Sequence, residues 1–367
     1  MRYLAVLGRQ PEISIAELEA LYKEVERISD ALVSFTSISE DFGMINRLGG
    51  VLKLAVKLDQ KPLEYLQKLP DGKITIGMSD YSGGATRKTV QNEALKLKKI
   101  LIRHGRSVRV VENKEAILST ATSLHNGLNG KNERKMELLK VDNDWYRVVG
   151  VQDIDAYTKR DRARPARDAR VGMLPPKLAQ ILINLCGSLE SGSVVLDPFC
   201  GTGVVLQEAL LMGYRAYGTD VSERMIEYSK KNLDWLVRDK NDLFYLSVGD
   251  ATSFEWNKPI DAVACEGYLG RPFSRIPTEM ELKEQKQECG AIVIGFLRNL
   301  SKQIKSCTPV VIAVPAWLRE DGGYERLDIL DDIPDMGYNV NNKTQEGLLY
   351  HRGGQVVARD ILILRKK

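Results

Sequence analysis

The sequence predicts an α/β protein whose carboxyl-terminal half folds as a mostly parallel, doubly wound sheet. The first observation is that, from residue 193 onwards, short β-branched apolar runs alternate with runs of helical length and periodicity. The second is the segment Val194–Gly203, where an apolar run ends in Asp197 and a glycine-bracketed turn before a helical pattern begins near Val204. Alternating strands and helices predict a parallel sheet with helices on both faces, which binds ligands beyond the carboxyl ends of its strands.

The elements of this half follow one another in a regular order. Strands are predicted at residues 193–196, 215–218, 244–248, 261–264 and 309–314. Helices are predicted at residues 177–185, from about 204 to 212, at 222–236 and at 280–304. A last antiparallel pair of strands, near residues 346–351 and 355–364, is predicted to form the edge of the sheet.

The first half divides into two smaller units, residues 1–60 and residues 61–155. In the first unit, a strand at residues 4–7 is followed by Ser14 and Glu17, whose spacing predicts a capping box for a helix that runs to Tyr22. The second unit has the same mixed character, with strands predicted at 74–78, 108–111 and 145–149 and a helix at 91–103.

Composition excludes several classes of protein. No run of about 18 apolar residues occurs, so a membrane span is not expected. The amino-terminal apolar run is short and predicts a first strand rather than a signal peptide. The five cysteines are scattered without a C-x-x-C pair, which is typical of a reducing compartment and predicts a cytoplasmic protein. The three histidines lie far apart, and no metal site is predicted.

Basic residues are concentrated in two segments, although the net charge is only +4. Residues 87–109 carry eight basic side chains against Glu93 alone, and the linker of residues 156–175 carries six against two acids. Pro165 and the Pro175-Pro176 pair prevent this linker from forming one long helix before the last domain, residues 176–367. Such clusters predict contacts with a phosphate backbone, while a solvated helix face and a polar linker remain the alternative. The predicted substrate-binding residues are Lys96, Lys98, Lys99, Arg103, Arg160, Arg162, Arg164 and Arg167.

The turn after Asp197 does not have the pattern that binds a dinucleotide. Leu206 occupies the place of the third glycine of a G-x-G-x-x-G motif, which argues against a dehydrogenase. Asp197 would repel a pyrophosphate and attract a cation. A nucleoside with a positively charged amino-acid tail and no phosphate fits better, and S-adenosylmethionine is such a ligand.

Four acids follow consecutive predicted strands and should therefore meet at one edge of the sheet. Asp197 ends the first strand, and Asp220 ends the second, where it is suited to bind ribose hydroxyls. Asp250 follows the third strand and is suited to accept from an adenine amine, while Glu266 ends the fourth and would face the reacting methyl group. Cys200 is interpreted as a packing residue because no histidine is near it in the sequence. The predicted cofactor-binding residues are Asp197, Phe199, Cys200, Gly201, Thr202, Gly203, Asp220, Val221, Gly249, Asp250 and Ala251.

These residues resemble the class I S-adenosylmethionine-dependent methyltransferases, and more narrowly the THUMP-containing tRNA guanosine-N2 methyltransferases. The resemblance rests on Asp197–Gly203, on Arg164-Pro165 with Leu174–Ala179, and on the closing segment Tyr350–Asp360. It extends more loosely to Leu7–Leu21. It implies a seven-stranded Rossmann-like catalytic domain at 176–367, an amino-terminal ferredoxin-like domain at 1–60 and a THUMP-like RNA-binding domain at 61–155. It also implies tRNA as the partner, with a small activating subunit as a further possible partner.

The chain departs from this family at the fourth strand. The family carries Asp or Asn, two prolines and an aromatic residue there, whereas this chain has Glu266-Gly267-Tyr268-Leu269. The resemblance implies that Glu266 positions the target amine and that Tyr268 stacks on the extruded base, which makes these two the predicted catalytic residues. Two alternatives stay open: an amino-methyltransferase that acts on ribosomal RNA or on adenine in DNA, and a non-catalytic RNA-binding homologue.

Overall fold

The computed structural model describes residues 1–38, 41–168, 174–237, 242–341 and 347–367, which form two compact units, Met1–Tyr157 and Thr158–Lys367. The elements of the first unit are β1 (Arg2–Leu7), α1 (Pro11–Leu21), β2 (Lys23–Arg27), β3 (Leu32–Thr36), a 3₁₀ turn (Phe42–Arg47), β4 (Val51–Lys57), α2 (Pro62–Gln67), β5 (Ile74–Asp80), α3 (Arg87–Arg103), β6 (Val108–Val110), α4 (Thr120–His125), β7 (Lys135–Val141), β8 (Asp144–Val151) and the start of α5 (Ile154–Arg162).

Among the described residues of this unit, eight strands form one sheet in the order β2-β3-β1-β4-β8-β7-β5-β6. Strand β4 pairs antiparallel with β8, from Lys53 opposite Val151 to Lys57 opposite Tyr146. The predicted boundary near residue 60 therefore falls inside a continuous sheet. The assignment of its two parts as ferredoxin-like and THUMP-like domains stays a prediction.

Helix α1 begins earlier than the sequence pattern predicted, and the predicted capping box is wrong. Pro11 occupies the first turn, where its fixed φ suits a helix start. The Ser14 hydroxyl donates back to the carbonyl of Gln10 at 3.1 Å. The buried Glu17 carboxylate accepts instead from the backbone N–H groups of Gly49 and Gly50, each at 2.8 Å. The Glu17 side chain, which the local pattern assigned to a helix cap, therefore makes a tertiary contact instead.

A buried ion pair joins β4 to β7 across the middle of this sheet. Lys53 Nζ lies 2.7 Å from Oε1 and 2.8 Å from Oε2 of Glu137, and both side chains are at most 1% exposed. The ammonium also donates to the carbonyl of Leu118 at 2.7 Å. The hydroxyls of Ser79 and Ser123 donate to the two carboxylate oxygens, each at 2.6 Å. Every charge in this network is thus matched by hydrogen bonds, which makes its burial tolerable.

The second unit contains the end of α5 and the predicted doubly wound domain. Its elements are α6 (Pro176–Leu185), β9 (Val194–Asp197), α7 (Val204–Leu211), β10 (Arg215–Asp220), α8 (Glu223–Val237), β11 (Phe244–Val248), β12 (Ala262–Glu266), α9 (Glu279–Leu300), β13 (Pro309–Leu318), β14 (Tyr324–Arg326), a 3₁₀ turn (Pro334–Met336), β15 (Tyr338–Val340), β16 (Leu348–Tyr350) and β17 (Val357–Lys366).

The described strands of this unit confirm the mostly parallel sheet. Its main path is β11-β10-β9-β12-β13-β17-β15, in which the first five strands are parallel to one another, β17 runs antiparallel to both of its neighbours, and β15 therefore runs in the direction of the first five. The predicted final pair exists, since β16 pairs with β17, but β17 is not the edge of the sheet. It lies between β13 and β15, a three-residue strand that the pattern was too short to predict. Strand β14 pairs with the end of β13.

The core of this unit lies between the sheet and α9. Phe296 and Leu297 of the helix pack with Val263, Ile312 and Trp317 of the strands, all fully buried. Within the described ranges, no helix is long and apolar enough to cross a membrane. Across the same ranges, no group of three or more histidine, cysteine or acidic side chains is arranged to hold a metal ion. Arg170 of the basic linker lies outside the described residues.

Candidate active site

The carboxyl ends of four neighbouring strands meet at one edge of the second sheet. Gly218 of β10 is in register with Asp197 of β9, so Asp220 ends its strand two residues beyond. On the other side of β9, β12 pairs through Val263 opposite Leu196 and continues to Glu266. Strand β11 runs beside β10 and ends just before Asp250. The predicted row of acids is therefore brought together by the strand order.

Asp197 is the most enclosed of these acids, with 3% of the residue exposed. Burial raises the pKa of its carboxyl well above the usual range, and the nearby charges of Asp220 and Glu266 raise it further. The N–H of Phe199 donates to Asp197 Oδ1 at 3.1 Å and opposes this shift. Because the acids repel one another, a cation bound at this edge would relieve the repulsion and favour their ionised forms.

Asp220 holds the loop between β9 and α7 in place. Its two carboxylate oxygens accept from the backbone N–H groups of Gly201 and Ser222, each at 2.9 Å. The hydroxyl of Ser229, on α8, donates to the carbonyl of Gly201 at 2.7 Å. A carboxylate has about four acceptor positions, so Asp220 keeps capacity for a further donor such as a ribose hydroxyl.

The two glycines of this loop are required for different reasons. Gly201 has φ +50°, and an added Cβ would meet open space there, with Phe199 O 4.0 Å away. Gly203 has φ +81°, and a Cβ there would lie 2.9 Å from Ser229 Oγ and 3.3 Å from Ser229 Cα. Gly201 thus has open space beside its backbone, and its role in ligand binding stays a prediction. Gly203 instead allows α8 to pack close to the loop, a role that the sequence did not reveal.

Asn232 fastens the same loop to the basic linker. Its Nδ2 donates to the carbonyls of Thr202 and Ala166, each at 2.9 Å, while its Oδ1 accepts from the N–H of Ala166 at 2.9 Å. The side chain is fully buried. One amide therefore ties the linker to the loop predicted to bind the donor, and no local sequence signal marks it.

Four of the predicted cofactor-binding residues have side chains that are buried or packed against the core, so only their backbone is placed to line the site. Cys200, Thr202 and Ala251 are buried, and Phe199 packs at the edge of the core. Burial raises the pKa of the Cys200 thiol well above its usual range, which keeps it protonated. This supports a packing role for Cys200 and disfavours a nucleophilic one.

The remaining predicted donor contacts lie beyond the ends of β10 and β11. The N–H of Gly249 donates to the carbonyl of Asp220 at 3.0 Å and closes the gap between these strand ends. Asp250 is exposed, and its Oδ1 accepts from the N–H and the hydroxyl of Thr252, both at 2.8 Å. Val221 is 74% exposed. The apolar side chain of Val221 is suited to contact the flat face of a nucleoside base, and the carboxylates of Asp220 and Asp250 are suited to accept hydrogen bonds from its polar groups.

Glu266 has a partner that the sequence analysis missed. Its Oε1 lies 2.5 Å from Nε of Arg359, a residue of β17, two strands away along the sheet. The two side chains are only 15% and 7% exposed. Burial raises the pKa of the Glu266 carboxyl, while Arg359 and Arg352 oppose the shift. No local pattern predicts this pair, because it depends on which strands become neighbours in the sheet.

Tyr268 stands just beyond the same strand end. The N–H of Gly267 donates to the carbonyl of Ala313 at 2.9 Å, so the chain follows the strand path one residue beyond Glu266. The Tyr268 residue is 37% exposed, and its hydroxyl donates to Oε1 of Glu288 at 3.1 Å. One contact thus fixes the ring at its hydroxyl end, and part of the ring remains accessible.

The predicted substrate-binding residues of the first unit lie along α3. Lys96, Lys99 and Arg103 are exposed, while Lys98 is half-buried. Lys88, on the same helix, precedes Lys96 by eight residues, and Lys96, Lys99 and Arg103 follow one another at spacings of three and four. These spacings place the four exposed side chains on one face of α3. Among the described residues, no hydrogen bond or ion pair engages these side chains. The face extends for about 22 Å at the helical rise per residue.

The basic linker differs from its prediction at two of four positions. Arg160 donates from Nε and Nη2 to the two oxygens of the fully buried Glu208, at 2.6 and 3.2 Å, and is itself only 13% exposed. Arg164 is 3% exposed. These two side chains therefore face the protein interior rather than a phosphate. Arg162 and Arg167 are exposed, as a contact with nucleic acid requires.

Comparison with known proteins agrees with this geometry. Residues 189–313 match a family model described as "Methyltransferase domain", and residues 91–231 match one described as "DNA methylase". The order of strands, the antiparallel β17 and the acidic edge are those of the class I methyltransferase fold. The chain is also similar in structure to TrmN from Thermus thermophilus, whose crystal structure matches with a TM-score of 0.52 at 18% identity and covers 100% of both chains.

The names of the sequence relatives specify a narrower class of methyltransferase. The chain is 38% identical over 100 residues to the tRNA (guanine(10)-N2)-dimethyltransferase of Methanothermobacter thermautotrophicus, which covers 27% of this chain and 28% of that protein. It is 26% identical over 246 residues to the enzyme of the same name from Methanocaldococcus jannaschii, covering 62% of this chain and 69% of that protein. The first alignment thus spans little more than a quarter of its relative. The predicted resemblance is confirmed by these relatives.

Proposed function

We propose that this protein transfers a methyl group from S-adenosylmethionine to the exocyclic N2 amine of a guanosine in tRNA. The observation that carries the proposal is the convergence of Asp197, Asp220 and Glu266 at one edge of a class I methyltransferase sheet. The nature of the acceptor is supported by two relatives whose names specify guanine-10 of tRNA. Position 10 is therefore the proposed target.

The residues of the donor side fit this cofactor. S-adenosylmethionine, when bound, supplies a methyl group on a positively charged sulfur. Asp220 keeps acceptor capacity for ribose hydroxyls, and Asp250 is exposed at the position proposed for the adenine amine. Val221 offers an apolar surface beside them. The open space at Gly201 lets the ligand approach the backbone. Negative charge at this edge favours a cation and disfavours a diphosphate.

On the acceptor side, Glu266 and Tyr268 hold the base. The N2 amine is a weak nucleophile because its lone pair is delocalised into the ring, so a hydrogen bond from the amine to Glu266 helps to orient that lone pair. Held by Glu266 and Tyr268, the N2 atom would face the methyl group that the bound donor would supply from its positively charged sulfur. The amine then releases one proton to Glu266 or to water. Positioning and exclusion of water, rather than prior deprotonation, provide the rate enhancement.

Asn232 provides a test of how the donor loop is held. We expect Asn232→Ala to lower the free energy of unfolding by about 1–3 kcal/mol, because it leaves buried groups of Thr202 and Ala166 without their partner. It should also weaken S-adenosylmethionine binding several-fold, measured by calorimetry. Lys230→Ala, on the exposed face of the same helix, is the matched control. Unchanged donor affinity in a folded Asn232→Ala protein would show that this tie does not shape the donor site.

The exposed basic face of α3 is proposed to contact tRNA phosphates. Replacing Lys96 and Lys99 together by Glu should weaken tRNA binding about tenfold or more at low salt, and reduce the slope of log affinity against log salt by about two. Lys23→Glu with Lys61→Glu, exposed lysines elsewhere in the unit, is the control for net charge. Equal tRNA affinity of the two double variants would remove α3 from the binding surface. Lys98 is also a predicted contact, but its partial burial makes it a poorer site for this test.

The direct test of the function compares nucleosides from cells with and without the protein. Mass spectrometry of purified tRNA should show N2-methylated guanosine lost in the deletion strain and restored by the intact gene. Unchanged guanosine methylation would contradict the proposal. The DNA methylase match of residues 91–231 favours one alternative, amino-methylation of DNA. Loss of N6-methyladenine from genomic DNA of the same strain would support that alternative instead.

The proposed location is the cytoplasm. The five cysteines are all free thiols, four of them buried and Cys307 exposed. Unpaired cysteines are typical of a reducing compartment, and the proposed tRNA substrate is found there. A small activating subunit remains a prediction from the family resemblance.

A further inference from the structure

The acceptor side of the site contains a buried charge pair at the strand end where the departure from the resembled family's motif lies. Glu266 ends β12, and Arg359 approaches it from β17 with its Nε 2.5 Å from Oε1. Arg359 is 7% exposed, and its guanidinium also lies 6.0 Å from the centre of the Tyr350 ring. A side chain held by an ion pair and a neighbouring ring has little freedom to reorient. Arg359 therefore fixes the direction of the Glu266 carboxylate.

This pair determines which hydrogen bonds Glu266 is able to make. The charge of Arg359 favours the ionised form of Glu266 against the effect of burial, and an ionised carboxylate accepts hydrogen bonds and donates none. Arg359 occupies one position on Oε1. Lone pairs remain on Oε1 and Oε2, so the side chain is able to accept from two neighbouring donors of a bound base.

The bases that carry an exocyclic amine differ in what lies beside it. In guanine the N2 amine is next to N1–H, so two donors are adjacent on the edge that pairs in a duplex. In adenine the N6 amine is next to N1, and in cytosine the N4 amine is next to N3, both of which are acceptors. An acceptor lone pair directed at a carboxylate oxygen is repelled and left without a hydrogen bond.

We propose that the Glu266–Arg359 pair makes the acceptor site selective for guanine by accepting from N1–H and N2–H together and rejecting bases whose amine lies beside an acceptor. Arg359 is a positioning residue in this account, because it acts through Glu266 rather than on the base. The inference rests on the proposed methyltransferase function and deepens it. It assigns base selection to a pair of residues on strands that are not adjacent.

Replacing Glu266 by glutamine tests the selection directly. Glutamine offers one acceptor and one donor, which matches the amine and the neighbouring acceptor of adenine. Labelled S-adenosylmethionine is supplied with tRNA, ribosomal RNA and DNA, and the methylated nucleosides are identified by mass spectrometry. Wild type should label N2 of guanine. In Glu266→Gln the ratio of guanine to adenine labelling should fall about 10- to 100-fold. Glu284→Gln, an exposed change on α9, should leave the ratio unchanged.

The role of Arg359 is tested by two substitutions. Arg359→Lys retains a charged partner and should keep part of the guanine preference, whereas Arg359→Met should lose most of it. A merely structural role would lower all transfer in proportion and leave the ratio of labelled bases constant. Thermal unfolding is measured on each variant so that only folded protein is compared. A full guanine preference in folded Arg359→Met would overturn its assignment as a positioning residue.

Failure of this inference is distinguishable from failure of the proposed function. Guanine N2 labelling in ribosomal RNA but not tRNA would contradict the tRNA proposal and support the base selection. An unchanged base ratio in Glu266→Gln, or adenine labelling by wild type, would overturn the selection itself.

If wild type labels nothing, base selection is measured by binding. Saturation-transfer NMR of protein loaded with S-adenosylhomocysteine should show GMP bound in preference to AMP and CMP, with the preference lost in Glu266→Gln. Equal binding of the three nucleotides would overturn the inference without any methyl transfer.

Discussion

Replacing Glu266 by alanine should abolish methyl transfer while leaving the affinity for S-adenosylmethionine nearly unchanged. Glu266 is the acid at the end of β12 on the proposed acceptor side, and the donor loop is held by other residues, Asp220, Ser229 and Asn232. Loss of the group that orients the target amine should lower kcat by about 10²- to 10³-fold or more. The measurement is single-turnover transfer to tRNA beside calorimetry with the donor.

The same substitution carries a structural cost that needs a control. Alanine leaves Arg359 buried without its carboxylate, and breaking a buried pair from one side costs about 3–5 kcal/mol. Denaturant unfolding therefore accompanies the kinetic measurement. Glu266→Gln keeps the shape and a hydrogen-bond acceptor, so its fold should be closer to wild type. Loss of donor binding in a folded Glu266→Ala protein would contradict the assignment of Glu266 to the acceptor.

The second large effect is expected in the first unit, at its buried Lys53–Glu137 pair. Glu137→Ala should lower the free energy of unfolding by about 3–5 kcal/mol, because it leaves the Lys53 ammonium buried without a counter-charge. Ser79 and Ser123 lose their acceptor at the same time. Urea unfolding followed by circular dichroism measures the change.

Two variants make this measurement specific. Lys53→Met with Glu137→Met removes both charges and should be markedly less destabilising than either single loss, since no buried charge is left unpaired. Asp144→Asn removes one partner of the exposed Lys57–Asp144 pair and should leave the free energy of unfolding nearly unchanged. A Glu137→Ala protein as stable as wild type would show that the pair contributes nothing to the fold.

The fold of the second unit was largely predictable because its signals are local. Apolar runs of strand length alternate with helical runs, and acids follow the strands at residues 197, 220 and 266. Parallel strands place their carboxyl ends at one edge, so the row of acids follows from the fold class. The edge strand β15 was missed because three residues are too few to show a period of two.

The contacts that complete the site were not predictable in the same way. Arg359 meets Glu266, and Asn232 meets Thr202, only after strands and helices from distant parts of the chain have packed together. For the same reason, charge alone misjudged the linker. Arg160 counted as a basic residue for nucleic acid, yet it neutralises the buried Glu208. Composition reports how much charge is present, whereas packing decides which charges reach the surface.

Calorimetry with S-adenosylmethionine and with NAD tests the central claim most directly. The account predicts saturable binding of one S-adenosylmethionine per chain, weakened when Asp220 is replaced by Asn, and no detectable heat from NAD under the same conditions. Absence of S-adenosylmethionine binding, or binding of NAD with similar affinity, would contradict the account.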